Sequence, residues 1–186
     1  MTTTAPAIPG YLTGTWQIDP THSDVSFSVR HMMVSKVKGR FGTFSGTIVT
    51  AENPLESSVT AEIDAASIDT NQAQRDNHIR SADFFEVAKY PTITFTSTSV
   101  EPKGDDFLVH GDLTIKGNTR SVPLKLELNG FGPDAYGGTR AGFTATTEIS
   151  RKEFGVDIDM PMDGGGVVVG DKITITLEIE AVLQQG

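Results

Sequence analysis

Near the C-terminal end Ile173, Ile175, Leu177, Ile179 and Ala181 alternate with Thr174, Thr176, Glu178 and Glu180. An apolar side chain at every second position is buried by an extended strand with one face turned inward, and by no helix. The same rhythm recurs along most of the chain. It runs through Val25, Phe27 and Val29, through Val59, Ala61 and Ile63, and through Ile93 and Phe95. It continues through Phe107, Val109, Leu113 and Ile115, then Val122, Leu124, Leu126 and Leu128, then Ala141, Phe143, Ala145 and Ile149. Eight or so strands joined by short turns describe a sandwich or an up-and-down barrel. Between Phe41 and Phe44 the inward phase slips by one, with Gly42 between them, so a bulge or bend is expected there. Gly/Pro-rich loops are expected over 131–138 and 155–171. Small inward residues (Ala61, Gly111, Ala141, Ala145) would leave an eight-stranded barrel room for a ligand.

One stretch breaks the two-residue rhythm. Asn71 with Gln74 three residues on resembles a helix N-cap and its N3 partner. Asp76 and Arg80 are spaced for a helical ion pair. Phe84 and Phe85 stand side by side and cannot both face water cheaply, so they predict a short helix held down at its end. Tyr90-Pro91 is expected to stop it, because the residue before a proline avoids the helical conformation. The expectation is a lid-like helix over an all-β body.

Composition narrows the function classes. Lys and Arg total 15 against 24 Asp and Glu, a net charge of -9 with no basic stretch, which argues against nucleic acid or an anionic membrane surface as a tight partner. Cysteine is absent, which removes disulfides, thiol nucleophiles and thiolate metal sites. The first residues lack a positive region and an apolar run, and no later segment is long and apolar enough to span a bilayer as a helix. Taken literally, the chain stays where it is made, and a cytoplasmic location is expected. One domain from 15 to 184 follows a flexible lead of residues 1–14.

Metal and phosphate motifs fail on inspection. Asp157, Asp159, Asp163 and Gly164 approach a calcium loop, but Pro161 stands at a ligand position and Gly170 where the bidentate Glu belongs. No two of His22, His31, His78 and His110 lie at helical ligand spacing, and His110 falls on the outward phase of its strand. The run Gly165 to Lys172 is not a phosphate loop, since Asp171 intervenes and a strand follows. Neither a metal nor a catalytic residue is expected. Met32 and Met33 read equally as a pliable lip and as core filler.

The order and spacing of several motifs supply a further reading. They are Trp16-x-x-Asp19…His22-Ser23…Phe27, Gly39-x-Phe41…Gly46 and Arg75-Asp76-x-His78-x-x-Ser81-x-Asp83-Phe84…Tyr90-Pro91…Phe95. Gly111-x-Leu113-Thr114-x-x-Gly117, Arg140-x-Gly142-Phe143, Arg151-x-x-Phe154-Gly155 and Gly170-Asp171 follow. From Trp16 to Leu183 the chain resembles the YceI-like family. The resemblance implies a lipocalin-like, extended antiparallel eight-stranded β-barrel with one short α-helix near an end. It further implies a carrier of polyisoprenoids or isoprenoid quinones, with fatty acids or their amides bound by some members. Dimers are common in the family, no catalytic residues come with it, and no cofactor is implied beyond the lipid itself. Many relatives carry an export signal and act in the periplasm, which this chain's own first residues do not match.

On this reading Phe27, Val29, Phe41, Phe95, Val109 and Phe143 line a lipid tail, Phe84 and Phe85 wall the tunnel, and His31, Asn77 and His78 meet the head group. Two alternatives stay open. One is an enzyme acting on such a lipid through helix residues Asp76, His78 or Asp83. The other is a dry barrel serving as an interaction module. Periodicity does not separate a filled core from a lined pocket.

Overall fold

The computed structural model describes residues 8–31, 35–157 and 169–184, with only the backbone of His31 and Val169 considered. Among these residues eleven strands follow in order: β1 (Gly14–Ile18), β2 (Asp24–His31), β3 (Ser35–Phe41), β4 (Phe44–Thr50), β5 (Ser58–Asp64), β6 (Ile68–Asp69), β7 (Thr92–Lys103), β8 (Asp106–Ile115), β9 (Asn118–Pro133), β10 (Thr139–Ser150) and β11 (Val169–Leu183). Among the described residues one α-helix, α1 (Ala73–Arg80), lies between β6 and β7.

These strands form one antiparallel sheet that closes when β1 pairs with both β4 and β11. Three of its staves are broken. β11 pairs with β1 at Ala181–Leu183 and with β2 from Val169 to Glu178, so β1 and β2 are successive halves of one stave. β3 and β4 form the next stave, against β2 and β1 respectively, and β5 and β6 form the third, against β4 and β3. With β7 to β11 this makes an eight-stave up-and-down barrel, one of the two architectures the alternation allows and the one the resemblance implies.

Two of the breaks have a clear local cause. The slip of phase between Phe41 and Phe44 is the β3–β4 break, where Gly42 donates to the Ser67 carbonyl and the Thr43 carbonyl accepts from Asp64 N–H. Between β1 and β2, Pro20 opens a single 3-10 turn capped by the Asp19 carboxylate, which accepts from Thr21 N–H. The same carboxylate takes a 2.8 Å bond from Arg140 Nη1, and Arg140 Nε reaches Asp134 at 3.0 Å in the β9–β10 turn. Arg140 thus pins the kinked stave to a hairpin at that end of the barrel. Hydrogen bonds from Arg140 and His22 hold the Asp19 carboxyl far below the usual carboxylate range. Amides of Gly138 and Tyr136, with Arg140 added, depress Asp134 as well.

That end is plugged. Trp16 is fully buried, donates from Nε1 to Thr50 Oγ1 at 2.8 Å, and packs with Ala141, Phe143 and Ala181. Phe131 stands edge-on to Trp16 and Tyr11 stands edge-on to Phe131. Three sequence expectations change here. Phe131 belongs to β9 and pairs with Ala141, so the loop expected over 131–138 shrinks to the turn after Pro133. β1 begins at Gly14, and Tyr11 already donates to the Ala51 carbonyl, so packing starts inside the lead assigned to residues 1–14. The late loop ends by Val169, which opens β11; Asp159, Pro161, Asp163, Gly164 and most of the glycine run lie outside the described residues, as do Met32 and Met33.

Candidate ligand-binding site

The opposite end carries α1, and its geometry departs from the sequence expectation in three ways. The N-cap is Gln72, whose side chain accepts from Arg75 N–H at 2.8 Å, while Asn71 adopts a left-handed conformation (φ 66°). The helix stops at Arg80, capped by Ser81, ten residues before Tyr90. Phe84 and Phe85 therefore sit in the turns that follow, where Phe84 N–H and Glu86 N–H both bond the Ser81 carbonyl. Asp76 and Arg80 do not pair. Asp76 is buried and accepts from both Thr70 N–H (2.9 Å) and Thr70 Oγ1. Arg80 instead donates to the carbonyls of Ala66 and Ile68 and to Asn77 Oδ1.

The cause is tertiary. Burying a carboxylate requires donors, and the Thr70 end of β6 supplies two. Arg75 reinforces the joint, giving Nε to Thr70 Oγ1 (2.8 Å) and Nη2 to the Thr70 carbonyl (2.7 Å). Short-range spacing showed an acid and a base four apart, but not that the helix packs this face against a strand end.

Inside the barrel lies a cavity of about 350 Å³, lined by side chains from every stave. This volume is at the lower end of the roughly 300–1,000 Å³ typical of small-molecule sites. The wall is overwhelmingly aliphatic and aromatic, reaching from Ile48 and Ile179 below to Phe154 and Val156 at the α1 end. Nine residues expected at the site line it: Phe27, Val29, Phe41, His78, Phe84, Phe85, Phe95, Val109 and Phe143. Phe85 meets Phe41 at a 6.3 Å centroid separation, and Phe41 meets Phe27 at 5.8 Å, a continuous aromatic wall under the helix end. His78 stands edge-on to Phe84 at 5.0 Å and holds Asp83 Oδ2 at 2.9 Å from Nε2.

Of the other two head-group residues expected, Asn77 is not on the cavity wall and the side chain of His31 falls outside the described residues. Asn77 is exposed and spends its side-chain oxygen on Arg80.

Small residues act differently from the simple expectation too. Ala61 and Ala145 do line the cavity. Ala141 is instead packed in the Trp16 plug, and the space at Gly111 is taken by the Phe95 ring. Phe27 lies over Gly39 in the same way. Glycine on a neighbouring stave lets each ring rest against backbone rather than project across the lumen. The sequence missed Thr70, Arg75 and Arg151 as wall residues. Arg151 had a weak signal, since it continues the inward phase of Ala145, Thr147 and Ile149; Arg75 had none at helical spacing.

Among the described residues no group of three or more His, Asp or Glu is disposed to hold a metal ion. No helix among them is long and apolar enough to cross a membrane.

A closed eight-stave barrel around an apolar cavity, plugged at one end and helix-covered at the other, defines a lipocalin-like binding barrel. The chain belongs to the YceI family: residues 16–181 match the model described as YceI-like domain. It is 41% identical over 165 residues to Protein YceI of Escherichia coli (strain UMN026), covering 88% of this chain and 83% of that one. The crystal structure of Burkholderia cenocepacia BcnA superposes with a TM-score of 0.77 at 24% identity, covering 88% of this chain and 98% of that one. A polyisoprenoid binding domain from Saccharophagus degradans, implicated in plant cell wall breakdown, superposes with a TM-score of 0.69 at 18% identity over 93% of this chain and all of the other.

Proposed function

We propose that the protein is a non-enzymatic carrier or store for a long apolar lipid of the isoprenoid type, a polyprenyl chain or an isoprenoid quinone, held inside the barrel. The observation that carries this reading is the cavity of about 350 Å³ with its almost wholly apolar wall. A polar ligand would lose its hydration there without recovering hydrogen bonds. Membership of the YceI family and the shared fold of a polyisoprenoid binding domain support the same reading.

Energetics limit what the tail contributes. A tail of about forty carbons, at ~0.8 kcal/mol per CH₂, would nominally exceed the ceiling of about 20 kcal/mol for non-covalent affinity. Such a lipid comes from a membrane or an aggregate, where its tail is already dry. The net gain from moving hydrocarbon into the barrel is therefore small, and shape and head-group contacts select the cargo.

The test is direct. Protein purified without detergent is extracted with organic solvent and the extract analysed by mass spectrometry. A stoichiometric long-chain lipid is expected. Repeated preparations that yield no lipid, together with no uptake of an added prenyl quinone, would overturn the proposal.

A further inference from the structure

The hollow interior does not end where the main cavity does. A second, smaller space of about 70 Å³ lies towards the Trp16 end, with Tyr11, Val100, Phe107, Leu128 and Phe131 in its wall. Five residues from five different staves belong to both walls: Ile48, Val59, Val109, Leu126 and Phe143. On β8, Ile115, Leu113 and Val109 line the main cavity, and Val109 and Phe107 line the smaller one. On β9 the order is Val122, Leu124 and Leu126, then Leu126, Leu128 and Phe131. The two spaces therefore stack along the barrel, and the five shared side chains form a waist between them. Phe143 is the largest of the five and pairs with Leu128 on β9 and Ile179 on β11.

The smaller space offers little to water. Most of its wall is aliphatic or aromatic. Thr50 Oγ1 accepts from Trp16 Nε1 and donates to the Leu12 carbonyl, and Ser57 Oγ accepts from the Ala51 amide, so both hydroxyls are already committed. Tyr11 closes the outer side, with its hydroxyl on the Ala51 carbonyl and its ring edge-on to Phe131. Phe131 in turn stands edge-on to Trp16 and to Phe143. Water needs several polar partners to occupy a cavity, and an apolar hollow stays dry until an apolar group fills it. Close-packed interiors seldom keep such a void, because its lining forgoes the contacts a filling atom would make. The end of a hydrocarbon tail passed through the waist supplies those contacts.

From this we infer that the smaller space is a subsite for the far end of a lipid tail, entered through the waist, and that Phe143 gates it. The inference rests on the carrier reading above and deepens it: the subsite sets how long a tail the barrel takes. Direction follows from the two ends. Tyr11, Phe131 and Trp16 close one, whereas at the other His78 lines the main cavity with its side chain 42% exposed. The tail goes in first and the head stays near α1. At a fifth of the main cavity's volume, about 70 Å³ against about 350 Å³, the subsite has room for about one prenyl unit.

The experiment uses the full chain, stripped of lipid, and prenyl alcohols that share a head and lengthen one unit at a time from farnesol upwards. Affinity, measured by displacement of a fluorescent lipid, should rise with each added unit and level off once the tail outgrows the channel. Val100 lines the smaller space but not the main cavity, so Val100→Phe fills the subsite alone. Its plateau should come one unit earlier, with a loss of about fivefold or more for the longest alcohol that wild type accommodates. Shorter alcohols should stay within about twofold of wild type. Phe143→Leu clears the waist and should speed uptake of that longest alcohol severalfold while leaving farnesol's rate unchanged. A wild-type readout decides the matter where a variant does not fold. The same longest alcohol, carrying a diazirine at its tail end, should on irradiation label peptides containing Val100, Phe107, Leu128 or Phe131. Label confined to residues of the main cavity overturns the subsite. So does a plateau that stays put in Val100→Phe, or a loss shared equally by short and long tails; each leaves the carrier reading intact. Uptake rates in Phe143→Leu that change alike for both tails overturn the gate. If no alcohol binds, the carrier reading fails and the subsite with it.

Discussion

The ring of Phe95 rests on Gly111: a Cβ placed on that glycine would lie 2.3 Å from Phe95 Cζ and 2.8 Å from the Thr96 carbonyl oxygen. The ring can swing away, but the carbonyl belongs to the neighbouring stave. Gly111→Ala should therefore force Phe95 into the lumen and strain the β7–β8 pairing. A loss of about 1–3 kcal/mol is expected, as for other overpacked cores. Chemical denaturation measures the loss, and bound lipid per chain, read by mass spectrometry, should fall in parallel.

Ala145 presents the complementary case. It is buried but faces the cavity rather than a ring. Ala145→Phe should place its ring in open space, with a stability change of under about 1 kcal/mol in lipid-free protein, less than overpacking a filled core costs. Lipid uptake should drop severalfold. A large destabilisation with unchanged uptake would mean that the interior is filled and that the lipid binds elsewhere.

Asp76 separates a structural role from an acid–base one. Removing its carboxylate in Asp76→Ala leaves the buried Thr70 N–H and hydroxyl without their acceptor. The expected cost is about 2–3 kcal/mol, the scale for a buried charge-assisted bond. Hydrogen exchange should quicken across α1 and the β6 end, because the joint between them depends on this group. An enzyme using Asp76 as acid or base would instead lose turnover while its folding stayed intact.

The Arg140 pin predicts a pH signature. Arg140 and then His22 hold the Asp19 carboxyl below its ordinary value, so the folded state favours the charged form. The stability this supplies is complete above the unfolded carboxylate pKa of about 4, and is lost as pH falls from there towards the lower folded value. Asp134 adds a contribution of the same sign, carried first by the Gly138 amide. Arg140→Met should be less stable than wild type at pH 7, and the gap should narrow steadily below about pH 4. Urea denaturation repeated across that range measures it; a gap independent of pH would show that Asp19 owes little to Arg140.

Alternation alone marks the strands, their inward faces and the bend between Phe41 and Phe44, because it is a relation between residues two apart and one buried face enforces it. It also places six wall residues on the strands, Phe27, Val29, Phe41, Phe95, Val109 and Phe143, since inward phase and cavity wall coincide wherever the centre of the barrel is open. That the centre is open follows only from how the staves pack. The rings of Phe27 and Phe95 rest on Gly39 and Gly111, and which glycine meets which ring depends on cross-strand offset, not on local pattern. The same holds at the α1 end. Asp76 and Arg80 read as a solvated pair four residues apart, yet Asp76 is drawn inward by donors on Thr70 while Arg80 caps distant carbonyls. Arg75 joins the cavity wall for the same reason. Which charges a fold buries is set by the partners that another segment brings to them.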